Sequence, residues 1–170
     1  KLSTLIAFDQ RNFFIKRFLK EKRENIKFII AYGLLNVMDE EIFALILSSL
    51  ESSSKEYQLR ISTVLNNHYN LISPYVEPYL DSNSDTILLC ILRLSIKNGN
   101  KAYSDFIIDT IDDYILDYEN KRIENEEISI EIIHIMLQYM LIYHYNILLH
   151  KQLFQHKEND IVLRYVVEAY

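Results

Sequence analysis

Leu50-Glu51-Ser52-Ser53-Ser54-Lys55-Glu56-Tyr57 and, thirty residues on, Leu80-Asp81-Ser82-Asn83-Ser84-Asp85-Thr86-Ile87 share one pattern: a bulky apolar residue, a short polar loop, then an apolar helix. The same pattern occurs upstream at Phe18-Leu19-Lys20-Glu21-Lys22-Arg23-Glu24-Asn25-Ile26 and downstream at Phe154-Gln155-His156-Lys157-Glu158-Asn159-Asp160-Ile161. Leu19 to Leu50 is a step of 31 and Leu50 to Leu80 a step of 30. Leu80 to Phe154 is 74, room for two units of which one carries extra residues. A fixed period of about thirty residues marks a repeat architecture, in which each unit buries its apolar face only against its neighbours.

Each unit reads as a helical hairpin. Asn36-Val37-Met38-Asp39, Asn67-His68-Tyr69-Asn70, Lys97-Asn98-Gly99-Asn100 and Tyr143-His144-Tyr145-Asn146 close the second helices. Asn and Gly are expected to stop them through the left-handed backbone of a C-terminal cap. The third unit is expected to run a first helix over about 71–80, a loop over 81–85 and a second helix over 86–97. Pro74 falls in the first turn of that first helix and Pro78 kinks it. Asp85 and Asp160 are placed to cap the helices that follow them. In the fourth unit, helices over about 101–119 and 128–146 flank a charged loop at 120–127, and Phe106, Ile107, Ile111, Tyr114, Ile115 and Tyr118 keep helical spacing. The first helix of unit one covers about 12–19, and residues 2–8 belong to a preceding element.

The expected fold is all-α, an α-α superhelix (solenoid) of about five stacked hairpins over residues 1–170. Its units run roughly 12–39, 40–70, 71–100, 101–146 and 147–170. Composition agrees: only two Gly and two Pro occur in 170 residues, too few turn formers for a β-sandwich or a dinucleotide-binding sheet. The layout resembles HEAT repeats within the armadillo-type superfamily. Asp81 matches the acidic residue such units carry at the inter-helix turn, and Arg60 and Arg164, early in their second helices, resemble the family's recurring arginine. Unit one lacks both, the third unit lacks the arginine, and the fourth has a longer loop. The resemblance implies a scaffold that binds proteins or peptides.

Several function classes are disfavoured by the residues themselves. Net charge is −6, and the densest basic stretch, 16–27, also contains Glu21 and Glu24, so it reads as a solvated helix end and no nucleic-acid partner is expected. The single cysteine, Cys90, excludes an internal disulfide and lies in an apolar run. Gly33 and Gly99 cannot assemble a phosphate-binding loop, and no nucleophile elbow surrounds any serine. His134 and His144 stand about 80° apart and about 15 Å apart along a helix, too far to share an ion. Asp112-Asp113, Glu126-Glu127 and Asp39-Glu40-Glu41 diverge as neighbours on a helix and are expected where helices start or turn. No cofactor, metal or catalytic residue is expected. The apolar region 128–149 is broken by Glu131, His134, Gln138, His144 and Asn146, so direct membrane insertion is not expected.

The leading expectation is a non-catalytic cytoplasmic interaction scaffold that grips a protein or peptide partner on the curved face of its second helices. Contacts are expected from Arg60, Asn67, Arg93, Lys97, Gln138 and Arg164, which do not face the core. Tyr139, Tyr143 and Tyr145 join them, because tyrosine combines a large flat surface with a polar tip. The chain opens on Lys1 and is expected to be part of a longer protein, and a regulatory or assembly segment of a larger, membrane-anchored one is the main alternative. A HEAT-like DNA glycosylase is a third, which would need a basic groove. Apolar residues near both ends, at 2–8 and 162–167, predict weak self-association through exposed solenoid ends.

Overall fold

Helix-forming sequence and scarce turn residues yield helices alone among the described residues. The computed structural model describes residues 10–99, 101–122, 125–144, 160 and 162. The eight α-helices among them are α1 (Arg11–Lys20), α2 (Glu24–Leu34), α3 (Glu40–Ser48), α4 (Lys55–Asn67), α5 (Tyr69–Val76), α6 (Asp85–Ser95), α7 (Lys101–Glu119) and α8 (Glu126–Tyr143). Short 3-10 turns follow α2 at Leu35–Val37 and α5 at Glu77–Tyr79. No helix among the described residues is long and apolar enough to cross a membrane. The fifth expected hairpin, 147–170, lies outside the described residues except for Asp160 and the buried Val162. The apolar segment at 2–8 lies outside them too.

The chain divides into two compact units, Lys1–Cys90 and Ile91–Tyr170. In the first, α1 packs on α2, α2 on α4, α3 on α5, and α4 on α5. Its interior is built from Phe18, Leu34, Ile42, Phe43, Ile46, Leu47, Leu50, Tyr57, Ile61, Leu65 and Ile72, all essentially inaccessible. Cys90 is buried there, with the Ser62 hydroxyl 3.2 Å from its sulfur. In the second, α7 packs against α8. Tyr103, Ile107, Ile111 and Ile115 form one four-residue-spaced row on α7, facing a core completed by Ile132, Ile133, Met136, Leu137 and Met140 of α8. Phe106, Tyr114 and Tyr118 flank that row half-buried.

Helix starts follow the side chains available. Asp39 caps α3, its Oδ1 accepting from the Ile42 amide at 2.9 Å, while Glu40 and Glu41 occupy the first turn. Asn125 does the same for α8 with Glu126 and Glu127 behind it. Asp112 and Asp113 instead lie in the middle of α7, one half-buried and one exposed, so the expected placement at a helix start does not hold for them. Asp85 is the first helical residue of α6 rather than its cap; Ser84 precedes it, with its Oγ 3.5 Å from the Ile87 amide. α5 begins two residues earlier than expected, which puts Pro74 inside the helix rather than in its first turn. Pro78 falls in the 3-10 turn, where the helix has already ended.

Helix ends differ from expectation in mechanism. No glycine and no asparagine among the described residues adopts a left-handed backbone; the one positive φ there is Lys121, at 54°. The asparagines act through their side chains. The Asn36 amide donates to the Gly33 carbonyl at 3.0 Å, Asn98 to Leu94 at 2.9 Å and Asn120 to Leu116 at 2.7 Å. Each bond brings a side-chain donor to a carbonyl of the last helical turn; the Leu116 carbonyl also accepts from the Asn120 backbone amide at 2.9 Å.

Among the described residues, the α1–α2 corner carries the most strongly perturbed carboxyl group. Glu21 accepts from the Arg23 side chain and from the Arg23 backbone amide, each at 3.1 Å, and from Arg17 at 3.1 Å. The Arg23 bonds lead in holding its carboxyl down to about 2, from an ordinary 4.5. A depressed carboxyl pKa stabilises the fold above the unfolded value, and that contribution disappears as pH falls from 4.5 toward 2. Glu21→Gln is therefore expected to lower stability at neutral pH and to flatten the acid limb between those values. Unfolding curves of the two proteins should converge near pH 2; parallel acid limbs would show that the corner contributes nothing.

Candidate functional site

The outward face of α2 and α4 in the first unit is the candidate site, and it is assembled from the N-terminal ends inward. Glu24, the first residue of α2, accepts from the Ser54 amide at 2.6 Å and from its hydroxyl at 2.5 Å. Ser54 is itself the N-cap of α4, accepting from the Tyr57 amide at 3.3 Å. A carboxylate on one helix thus braces the positive end of the next, and these bonds hold the Glu24 carboxyl below the ordinary range. Beneath it, Tyr57 is buried with its hydroxyl 3.2 Å from Ser49 Oγ, and burial pushes its phenol up.

One turn further along, the Arg60 guanidinium lies 4.1 Å from the Phe28 ring centroid and donates to Asn25 Oδ1 at 2.7 Å. Beyond it Tyr32 meets His68 edge-on, with centroids 5.8 Å apart. His68 Nδ1 is 2.9 Å from the Val64 carbonyl oxygen, a bond that places the proton on Nδ1. A cleft of about 440 Å³ opens at the N-terminal end between the helices, with Arg23 and Arg60 offset by Glu24 and Glu56 on its walls. On the solvent side α4 presents Glu56, Leu59, Thr63 and Asn67 at helical spacing, and α2 presents Asn25 and Ile29. Leu59 is 56% exposed and Ile29 50%. Such a surface can bind a chain segment through apolar and hydrogen-bonding contacts.

The expected contact residues divide by environment. Arg60 is half-buried and held by Phe28 and Asn25, while Asn67 is exposed at the end of α4. In the second unit Arg93 donates to Glu131 at 2.5 Å, and Lys97 and Gln138 are exposed. Tyr139 is a core residue: it is 1% exposed, and its hydroxyl lies 2.8 Å from Ser104 Oγ. The rings of Tyr139 and Tyr143 meet at a tilt of 42°, with centroids 4.7 Å apart, but only the outer one reaches solvent. Tyr143 is 42% exposed and donates to the Ile96 carbonyl at 3.0 Å. It lies against Gly99, where an added Cβ would meet the Tyr143 ring at 2.7 Å, so a larger residue there would push that exposed ring aside. Tyr145 and Arg164 lie outside the described residues.

Sequence reasoning passed over Leu59, Ile29 and the Glu24–Ser54 brace. Leu59 was legible as the one large apolar residue in the polar row Glu56, Leu59, Thr63, Asn67. The brace joins residues thirty apart, and nothing in either local pattern marks the pair. Against known proteins, no family model, no curated protein and no solved structure matches this chain.

Proposed function

We propose that the chain is a HEAT-like α-solenoid segment, non-catalytic, whose second-helix face binds a protein or peptide. The observation that carries this reading is the side-by-side packing of the second helices α2 and α4, with α3 against α5 on the first-helix side. Repeat stacks pair alternate helices in this way, and the arrangement leaves one face of each second helix without a partner. On that face the Arg60–Phe28 stack and the exposed Leu59 and Ile29 supply the aromatic, guanidinium and apolar groups that dominate binding energies.

Peptides selected from a random display library against the chain provide the test, with affinity measured by calorimetry. Leu59→Glu and Ile29→Glu are each expected to weaken the selected peptide about tenfold or more, leaving the melting temperature unchanged. Affinity insensitive to both substitutions, or a library that yields no binder, would remove this face from consideration.

A further inference from the structure

The α1 surface carries a charge pattern opposite to that of the whole chain. Residues 11–27 hold seven basic and two acidic residues, whereas the rest of the chain holds eleven basic and twenty-two acidic. The arginines of this segment are committed: Arg17 and Arg23 to Glu21, and Arg11 to Asp39 and Glu41 at 2.5 and 2.6 Å. Lys27 lies over the Phe18 ring at 4.9 Å. Lys16, Lys20 and Lys22 remain, all exposed and none with an ion pair among the described residues. Lys16 and Lys20 share their helix face with Phe13, three and seven residues before them. Phe13 is 66% exposed, and Leu19 on the flank is 63% exposed.

Singly exposed apolar side chains are ordinary on protein surfaces. Here two large ones flank Lys16 and Lys20 on a ten-residue helix of an otherwise acidic protein, and Lys22 lies just after that helix. We propose that the outer face of α1 docks on an anionic membrane surface, with Lys16, Lys20 and Lys22 against the headgroups and Phe13 and Leu19 at the acyl boundary. Guanidinium groups would read a carboxylate or a base edge by paired, directional bonds, but those of this segment are already paired within the fold. Ammonium groups act as point charges and suit a diffuse anionic plane, where each contributes a factor of about five in partitioning. The outer face of a helix is convex and offers no groove for a peptide. Nucleic acid would satisfy the lysines but would leave Phe13 and Leu19 without an apolar medium. This surface is separate from the α2–α4 face, and its test does not depend on the scaffold reading.

Co-sedimentation with phosphatidylcholine vesicles, with and without phosphatidylserine, tests the proposal at low and high salt. Binding is expected only with phosphatidylserine and is expected to weaken as salt rises. The triple variant K16Q/K20Q/K22Q should lose about a hundredfold in partitioning, and F13S/L19S should also weaken it, both with unchanged circular dichroism. The salt and lipid comparisons use the unaltered chain and stand whether or not a variant folds. No sedimentation with phosphatidylserine at low salt, or equal sedimentation with pure phosphatidylcholine, overturns the proposal. Capture by polyglutamate or duplex DNA without vesicle binding overturns it as well, assigning the lysines to another polyanion.

Discussion

Replacing Tyr139 by alanine is expected to cost the second unit about 3–5 kcal/mol, the range for truncating a fully buried aromatic. Its ring lies 4.7 Å from Tyr143, 5.9 Å from His144 and 6.5 Å from Tyr103, centroid to centroid. Truncation would open a cavity on all three sides. It would also take from Ser104 Oγ the Tyr139 hydroxyl, although His144 Nε2 remains 2.9 Å away. Tyr139→Phe keeps the ring and removes the hydroxyl alone, so it should cost about 1 kcal/mol. Urea unfolding of both variants, read with amide exchange in α7 and α8, separates the two contributions. A residue whose role is to meet a partner would leave the unfolding curve in place; a change below about 0.5 kcal/mol for the alanine variant would return Tyr139 to the contact surface.

Phe43→Ala is expected to have a comparable effect, about 3–5 kcal/mol, on the first unit. Phe43 is inaccessible to solvent and is met edge-on by Tyr79 at 5.4 Å and at a tilt by Tyr75 at 6.2 Å. Both tyrosines belong to the proline-containing segment of α5 and the 3-10 turn after it. That segment is only eight helical residues long, contains Pro74, and would be marginal alone. Its order is expected to depend on the aromatic contact with α3. Amide exchange should therefore accelerate together in α3, α5 and the 3-10 turn. Exchange that rises in α3 while α5 stays protected would show that α5 is held by α4 alone.

The expected helices 12–19 and 101–119 agree closely with α1 and α7, and the α7 core row follows the apolar spacing read there. The helix expected over 128–146 matches α8 at its start, but α8 ends at Tyr143 and residues 145–146 lie outside the described residues. Long, strongly periodic segments declare themselves because one face must be apolar along its whole length. Pro74 was misplaced for the converse reason: α5 is short, and its start after His68 is set by packing against α3 and α4. Asn36 and Asn98 do lie at helix ends, but through side-chain bonds to carbonyls rather than a left-handed backbone, and Asn70 lies inside α5; a composition cue cannot tell these cases apart.

The candidate site was less legible than the fold. Arg60 was singled out as an outward group, and its half-buried place over Phe28 came only with the structure. Tyr139 and Tyr143 are four residues apart and look alike in sequence, yet one is core and the other reaches solvent. Four residues advance a helix by slightly more than one turn, so the two occupy almost the same face, and what covers that face changes along the axis. The same holds for the cations of 11–27: sequence counts seven, but only tertiary pairing decides which are neutralised by Glu21, Asp39 and Glu41. By itself the sequence determined the helices and much of their buried faces, because apolar periodicity is a local property of the chain. Tertiary structure alone decided the Glu24–Ser54 brace, the burial of Tyr139 and the three uncommitted lysines, because each depends on residues far apart in sequence meeting in space.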